Sequence, residues 1–227
     1  MRPHVFVNAA MSADGKLSTY ERRQVKISGP ADFRRVDRLR AGADGVMVGI
    51  GTVLADDPSL TVKDPALVAS REVDGRGPQP ARIVVDSHAR IPLDAAVLHR
   101  GDGLRVVAVS EAAPGEKRAA LEEFATVVVA GRDRVDLALL LERLYSLGIR
   151  RLMVEGGGTL IAGLAKAGLV DELYVYVGNM IIGGSTAPTL ADGDGLSAAE
   201  PFVRLALASV TPCEEGVLLH WRVEKRE

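Results

Sequence analysis

Short runs of consecutive apolar residues alternate along this chain with stretches in which apolar positions recur every three or four residues. That alternation predicts an α/β fold built in layers. Residues His4 to Ala10 read as a first strand, ended by the polar turn Ser12-Ala13-Asp14-Gly15. Ser28-Gly29-Pro30 signals a helix start, because proline at the first helical position gives up an N–H that would lack an intrahelical partner anyway. Phe33, Val36 and Leu39 then repeat every three residues, with Arg34, Arg35, Asp37 and Arg38 on the other face. Gly45 to Ile50 predicts a buried strand, and Thr52 to Ala55 a short helix. Asp64 to Pro80 holds Pro65, Pro78 and Pro80 among mixed charges, which predicts an exposed loop. Strands are expected at Arg82 to Asp86, Leu104 to Val109 and Thr126 to Ala130, with a helix from Pro114 to Glu123 between the last two. Asp136 can cap a helix that runs to Leu147, where Gly148 supplies the stop. Arg151 to Glu155 reads as a strand, Thr159 to Ala167 as a helix closed by Gly168, and Glu172 to Val177 as a further strand. Phe202 to Val210 and Val217 to Val223 alternate more cleanly and predict a C-terminal antiparallel strand pair. Residues 1–227 are expected to form a single domain with a mixed sheet.

Composition narrows the function classes. The 227 residues are 47% hydrophobic and 26% charged, as in an ordinary globular protein, while aromatics at 4% leave the core to Val, Leu, Ile and Ala. Lys and Arg total 28 against 30 Asp and Glu, so the basic excess of a nucleic-acid binder is missing. The single cysteine, Cys213, cannot close an internal disulfide and fits a reducing cytosol. His4, His88, His99 and His220 show no metal-ligand spacing, so no metal is expected. The N-terminus has no apolar run of signal-peptide length. Leu173 to Ala191 is uncharged but is interrupted by Gly178, Gly183, Gly184 and Pro188, which argues against a membrane span. These features together predict a cytoplasmic protein.

Two glycine clusters stand at strand-to-helix junctions, where open α/β sheets bind ligands. Gly49-Ile50-Gly51-Thr52 begins like a dinucleotide fingerprint, but Leu54 occupies the third glycine position and the match is weak. Gly156-Gly157-Gly158-Thr159 follows the strand Arg151 to Glu155. Its three glycines would let a phosphate approach the backbone at a helix N-terminus; a tight turn with positive φ is the alternative. Asp86-Ser87-His88 has the composition of a catalytic triad but not its geometry, and no G-x-S-x-G motif is present, which excludes a hydrolase of that kind. Asp56-Asp57, followed by Pro58, fits a turn-stabilising or ligand-orienting role better than a metal pair.

Several blocks carry a family resemblance, in order, over about residues 5 to 223. They are Asn8 to Lys16, Arg38-Leu39-Arg40-Ala41, Gly51 to Val62 (with T-V-L-A-D-D-P-S-L-T-V inside it), Arg82 to Ser87, Glu155 to Leu160 and Gly168 to Leu173. These resemble the riboflavin-biosynthesis reductases, and the threonine-to-valine block is the most specific of them. The resemblance implies a dihydrofolate-reductase-like mixed sheet flanked by helices, NADPH as hydride donor and a homodimer. The implied small-molecule substrate is a ribosylaminopyrimidine 5′-phosphate, whose ribose is reduced to a ribityl chain. Cofactor contacts are implied for Ala10, Lys26, Thr52, Asp56, Gly156, Gly157, Gly158, Thr159, Leu160, Ile161, Ala162 and Gly163. Ser87 and Arg90 are implied as a seat for the cofactor 2′-phosphate, with a solvated Arg90 as the alternative. Substrate contacts are implied for Gln24, Arg40, Leu60, Lys63 and Glu155. Bacterial members often carry Ser at the position of Gln24 and Arg at that of Lys63, so Lys63 keeps the charge but loses the bidentate fork. No catalytic nucleophile is implied.

The chain has neither H-x-E nor P-C-x-x-C, the marks of the deaminase that precedes this reductase in bifunctional relatives. It therefore looks most like the archaeal and fungal type, which acts on the still-aminated 2,5-diamino substrate. Reduction of the deaminated pyrimidine, or a non-catalytic nucleotide-binding module, remains as an alternative. The first strand is not followed by the Pro-Trp pair of dihydrofolate reductase itself. Glu155 ends an apolar strand beside the second glycine cluster, where it either faces a pocket or caps the next helix.

Overall fold

The computed structural model describes residues 1–23 and 25–224. The chain divides into two compact units, Met1–His4 with Asp37–Met153, and Val5–Val36 with Val154–Glu227. In the first unit the strands β2 (Gly45–Gly49), β3 (Ala81–Val85), β4 (Arg105–Val109), β5 (Thr126–Val129) and β6 (Arg151–Val154) stand in the order β5-β4-β3-β2-β6. The pairs β2–β3, β3–β4 and β4–β5 are parallel. Val46, Met47, Ile83, Val106, Val107, Leu152 and Met153 are almost fully buried. Strands this uniformly apolar are what a parallel sheet covered on both faces requires.

In the second unit β1 (His4–Met11), whose first residue belongs to the other unit, pairs in parallel with β7 (Glu172–Val177). Antiparallel β9 (Gly216–Val223) and β8 (Leu205–Cys213) follow, giving the order β1-β7-β9-β8. The mixed α/β architecture and the C-terminal antiparallel pair are thus as the apolar pattern predicts. The helices are α1 (Pro30–Gly42), α2 (Ile50–Asp56), α3 (Pro65–Val73), α4 (Ala96–His99), α5 (Gly115–Glu122), α6 (Leu137–Ser146) and α7 (Gly158–Lys166). Asp136 caps α6 by accepting the Leu139 N–H at 3.0 Å, and Gly148 just beyond it takes φ +90°, both as expected.

Two expectations need correction. Asp64 to Pro80 is not all loop, because α3 occupies Pro65–Val73. The Asp64 carboxylate accepts the Ala66 N–H, Pro65 starts the helix, and the helix is anchored by an arginine rather than by an apolar stripe. Buried Arg71 donates to the carbonyls of Ala41 and Ala43, both at 2.7 Å, and to that of Gly77 at 3.0 Å. Strand β8 lies three residues later than Phe202 to Val210, at Leu205–Cys213. Its Pro212 sits on an edge strand, which tolerates a residue without an N–H. Its register is set by the turn at Glu214 and Glu215, where Gly216 packs so tightly that a Cβ would stand 2.5 Å from the Tyr176 hydroxyl.

Candidate active site

In the first unit, Thr52 and Asp56 lie on α2, which begins where β2 ends. The cap residue is Gly49, which has no side chain to meet the first free N–H groups. Gly51 is helical and exposed, and a Cβ added to it would meet nothing within 4 Å. Neither conformation nor packing demands glycine there, although glycine costs a helix about 1 kcal/mol relative to alanine. Glycine there leaves the helix backbone open to the close approach of a ligand. Asp56 is solvent-exposed, yet enough protein surrounds it to desolvate the carboxylate in part and raise its pKa. Asp57 has a different task. It ends α2 in the left-handed region at φ +40°, and its carboxylate accepts the Ala96 N–H at 2.7 Å where α4 begins.

The same unit brings together three of the implied substrate residues. Arg40, in the last turn of α1, donates from Nη1 to the Thr61 carbonyl at 3.0 Å. Leu60 takes φ +56° and its side chain is 2% exposed, so a substrate contact from Leu60 must run through its main chain. Lys63 is exposed three residues later. Ser87 and Arg90 follow β3. The Ser87 hydroxyl accepts the Val135 N–H at 3.0 Å. Arg90 Nε stands 3.6 Å from the fully buried Asp86 carboxylate, which also accepts the Ile91 N–H. Arg90 is therefore ion-paired rather than only solvated, and part of its charge is already compensated.

In the second unit Glu155 is half-buried immediately after β6. Gly157, not Glu155, is the cap residue of α7, and its φ of +90° suits only glycine. Gly158 is explained by packing, because a Cβ there would fall 2.5 Å from the Thr189 carbonyl oxygen and 2.7 Å from Asp192 Oδ2. Thr189 donates from its N–H and its hydroxyl to Asp192 Oδ1, at 3.0 and 2.6 Å, closing the turn that lies on Gly158. Thr189 and Asp192 were not legible as partners of the glycines; their spacing three apart was the only local signal. Along α7, Thr159 is exposed, Ala162 and Gly163 are half-buried, and Leu160 and Ile161 point into the core. Ala10 is half-buried on β1 and Lys26 is exposed, while Gln24 lies outside the described residues. Among the described residues no cluster of His, Cys, Asp and Glu could hold a metal ion. No described helix is long and apolar enough to cross a membrane.

Comparison with known proteins identifies the family. The family model of the RibD C-terminal domain matches residues 3–219. A 2,5-diamino-6-ribosylamino-4(3H)-pyrimidinone 5′-phosphate reductase of Archaeoglobus fulgidus is 54% identical over 194 residues, covering 86% of this chain and 88% of that one. The protein of the same name from Methanothermobacter thermautotrophicus is 47% identical over 225 residues, 99% of this chain and 100% of its own. Among solved structures, RibD of Acinetobacter baumannii superposes with a TM-score of 0.79 at 26% identity, covering 98% of this chain and 58% of that longer protein. The Saccharomyces cerevisiae riboflavin biosynthesis reductase Rib7 shares the fold, with a TM-score of 0.71 at 23% identity over 98% of this chain and 90% of its own.

Proposed function

The chain belongs to the RibD C-terminal domain family, and on that premise we propose that it is an NADPH-dependent reductase of 2,5-diamino-6-ribosylamino-4(3H)-pyrimidinone 5′-phosphate in riboflavin biosynthesis. The observation that carries this reading is the 47% identity to a reductase of that name over 99% of this chain and all of the relative. The substrate's ribosylamine opens to an imine, which makes C1′ of the sugar an electrophile. A bound nicotinamide cofactor supplies the hydride, so the protein needs no nucleophile of its own. Its residues bind and orient. Thr52 and Asp56 are the nicotinamide contacts, and open space at Gly51 fits the close approach of such a cofactor. Gly156 to Gly163, with Ala10 and Lys26, are further cofactor contacts. Ser87 and Arg90 are the 2′-phosphate seat that favours NADPH over NADH.

Arg40 and Lys63 pair with the substrate phosphate, and Gln24 and the Leu60 main chain are further substrate contacts. Glu155, an acceptor that cannot donate when ionised, takes hydrogen bonds from amino or ribose hydroxyl groups. Residues 1–227 act as one reductase domain, in the cytoplasm, as a homodimer. Exposed Leu207 and Val210 on β8 support the last point, and the free Cys213 fits a reducing compartment. The test is loss of reduced-nicotinamide absorbance on mixing protein, NADPH and the diamino substrate. Oxidation should require the pyrimidine; oxidation with dihydrofolate alone would contradict the assignment.

A further inference from the structure

Between α2 and α3 the chain runs through Asp57–Asp64 outside any strand or helix. Leu60 turns the chain at φ +56°, and beyond it Val62 is buried at 4% while Lys63 is exposed. An extended segment ordinarily satisfies its peptide groups on a neighbouring strand. Here side chains take that part. Gln79 Oε1 accepts the Val62 N–H at 2.7 Å and Gln79 Nε2 donates to the Val62 carbonyl at 3.1 Å, so its amide stands in for a peptide of a paired strand. Asp37 accepts the Lys63 N–H at 2.9 and 3.1 Å with its two oxygens, and the Asp64 N–H at 2.8 Å. Three residues further along α1, Arg40 holds the Thr61 carbonyl. Every one of these contacts lies within the first unit.

We propose that Asp37 and Gln79 are positioning residues for the substrate phosphate: they fix the main-chain path from Thr61 to Asp64 and so hold Lys63 at a set distance from Arg40. This rests on the reading of Arg40 and Lys63 as phosphate contacts. Neither Asp37 nor Gln79 touches substrate. Each acts through the backbone of the segment it grips, and a pair of cations recognises a phosphate only at the right separation.

The test uses Asp37→Asn, which gives up one anionic acceptor, and Gln79→Met, which keeps the length but loses both hydrogen bonds. Each should raise KM for the phosphorylated substrate about tenfold, leave kcat within about twofold, and leave the NADPH dissociation constant unchanged. With the substrate lacking its 5′-phosphate, both variants should match the unsubstituted protein, because the grip then has no phosphate to serve. Calorimetry with ribose 5-phosphate, which needs no turnover, should show the same tenfold loss. Should Asp37→Asn melt too low to assay, Gln79→Met alone decides the matter. Unchanged KM, or an equal penalty with and without the phosphate, would overturn the proposal. If ribose 5-phosphate binds and the variants weaken it, yet no ribosylaminopyrimidine is reduced, the positioning role stands and the proposed function falls.

Discussion

Gly51 and Gly158 are the same residue type answering different demands. Gly158 is glycine because the Thr189–Asp192 turn lies where a Cβ would be. At Gly51 no protein atom stands in the way. Gly51→Ala should therefore stabilise the fold by up to ~1 kcal/mol through helix propensity. It should also weaken NADPH binding about tenfold or more. Thermal melting and calorimetry on one sample check both parts, and a stabilised variant with unchanged NADPH affinity would assign Gly51 no ligand role. Glu155→Gln keeps the shape and one acceptor oxygen but removes the charge. It should lower turnover about tenfold or more by weakening charge-assisted hydrogen bonds to the substrate. NADPH affinity should move little, and Gly157 rather than Glu155 is the α7 cap; a lowered melting temperature with normal turnover would return Glu155 to a structural role. The relative weight of the two glycine clusters was not legible in the sequence. Three consecutive glycines look like the stronger ligand signal, yet packing accounts for Gly158 and a positive φ for Gly157. Both facts depend on where residues 189–192 and the following helix end up.

Elements whose signals are local were legible, and those anchored from a distance were not. The α6 cap at Asp136 and stop at Gly148 sit within the helix they define. Helix α3 had a local start, Asp64-Pro65, but its anchor is Arg71 reaching carbonyls 30 and 28 positions earlier, which no periodicity records. The long segment from Asn179 to Glu200 is likewise held from a distance, by backbone bonds that include an isolated bridge between Lys16 and Thr189 and by side chains. Asp14 accepts the Ile182 N–H at 3.0 Å and the Gly183 N–H at 2.7 Å, and with the Ser12 hydroxyl these bonds hold its carboxyl down to about 2. Lys166 at 2.7 Å and the Ser197 N–H at 2.8 Å do the same for Glu200, also to about 2. Carboxyls depressed in the folded state stabilise it above their ordinary values of 3.8 and 4.5, and that contribution disappears as pH falls toward about 2. Hydrogen-exchange protection at Ile182, Gly183 and Ser197, corrected for intrinsic exchange, should therefore fall between pH ~4 and ~2. Asp14→Asn should remove the pH dependence at Ile182 and Gly183 while leaving it at Ser197. Protection that stays constant through that window would contradict this account of the segment.

At the scale of the whole molecule, the C-terminal strands leave an apolar surface in search of cover. Leu205, Leu207 and Val210 are 38%, 52% and 53% exposed, and they stand opposite Val223, Trp221 and Leu219 on β9. An edge strand this apolar is a liability unless another chain covers it. Leu207→Asp combined with Val210→Asp should convert the proposed dimer into a monomer by light scattering, with the α/β circular-dichroism signature retained; a dimer of unchanged mass would place the interface elsewhere, and an unsubstituted protein that is already monomeric would contradict the dimer. In the proposed reaction the molecule moves hydride from NADPH to C1′ of a ribosylaminopyrimidine that still carries its second amino group. A competition between equimolar diamino and deaminated substrates, with NADPH deuterated at the transferable C4 position, tests it most directly by mass spectrometry of the products. Deuterium should appear at C1′ of the ribityl chain, first and mainly in the diamino product. Label appearing predominantly in the deaminated product, or in neither, would contradict it.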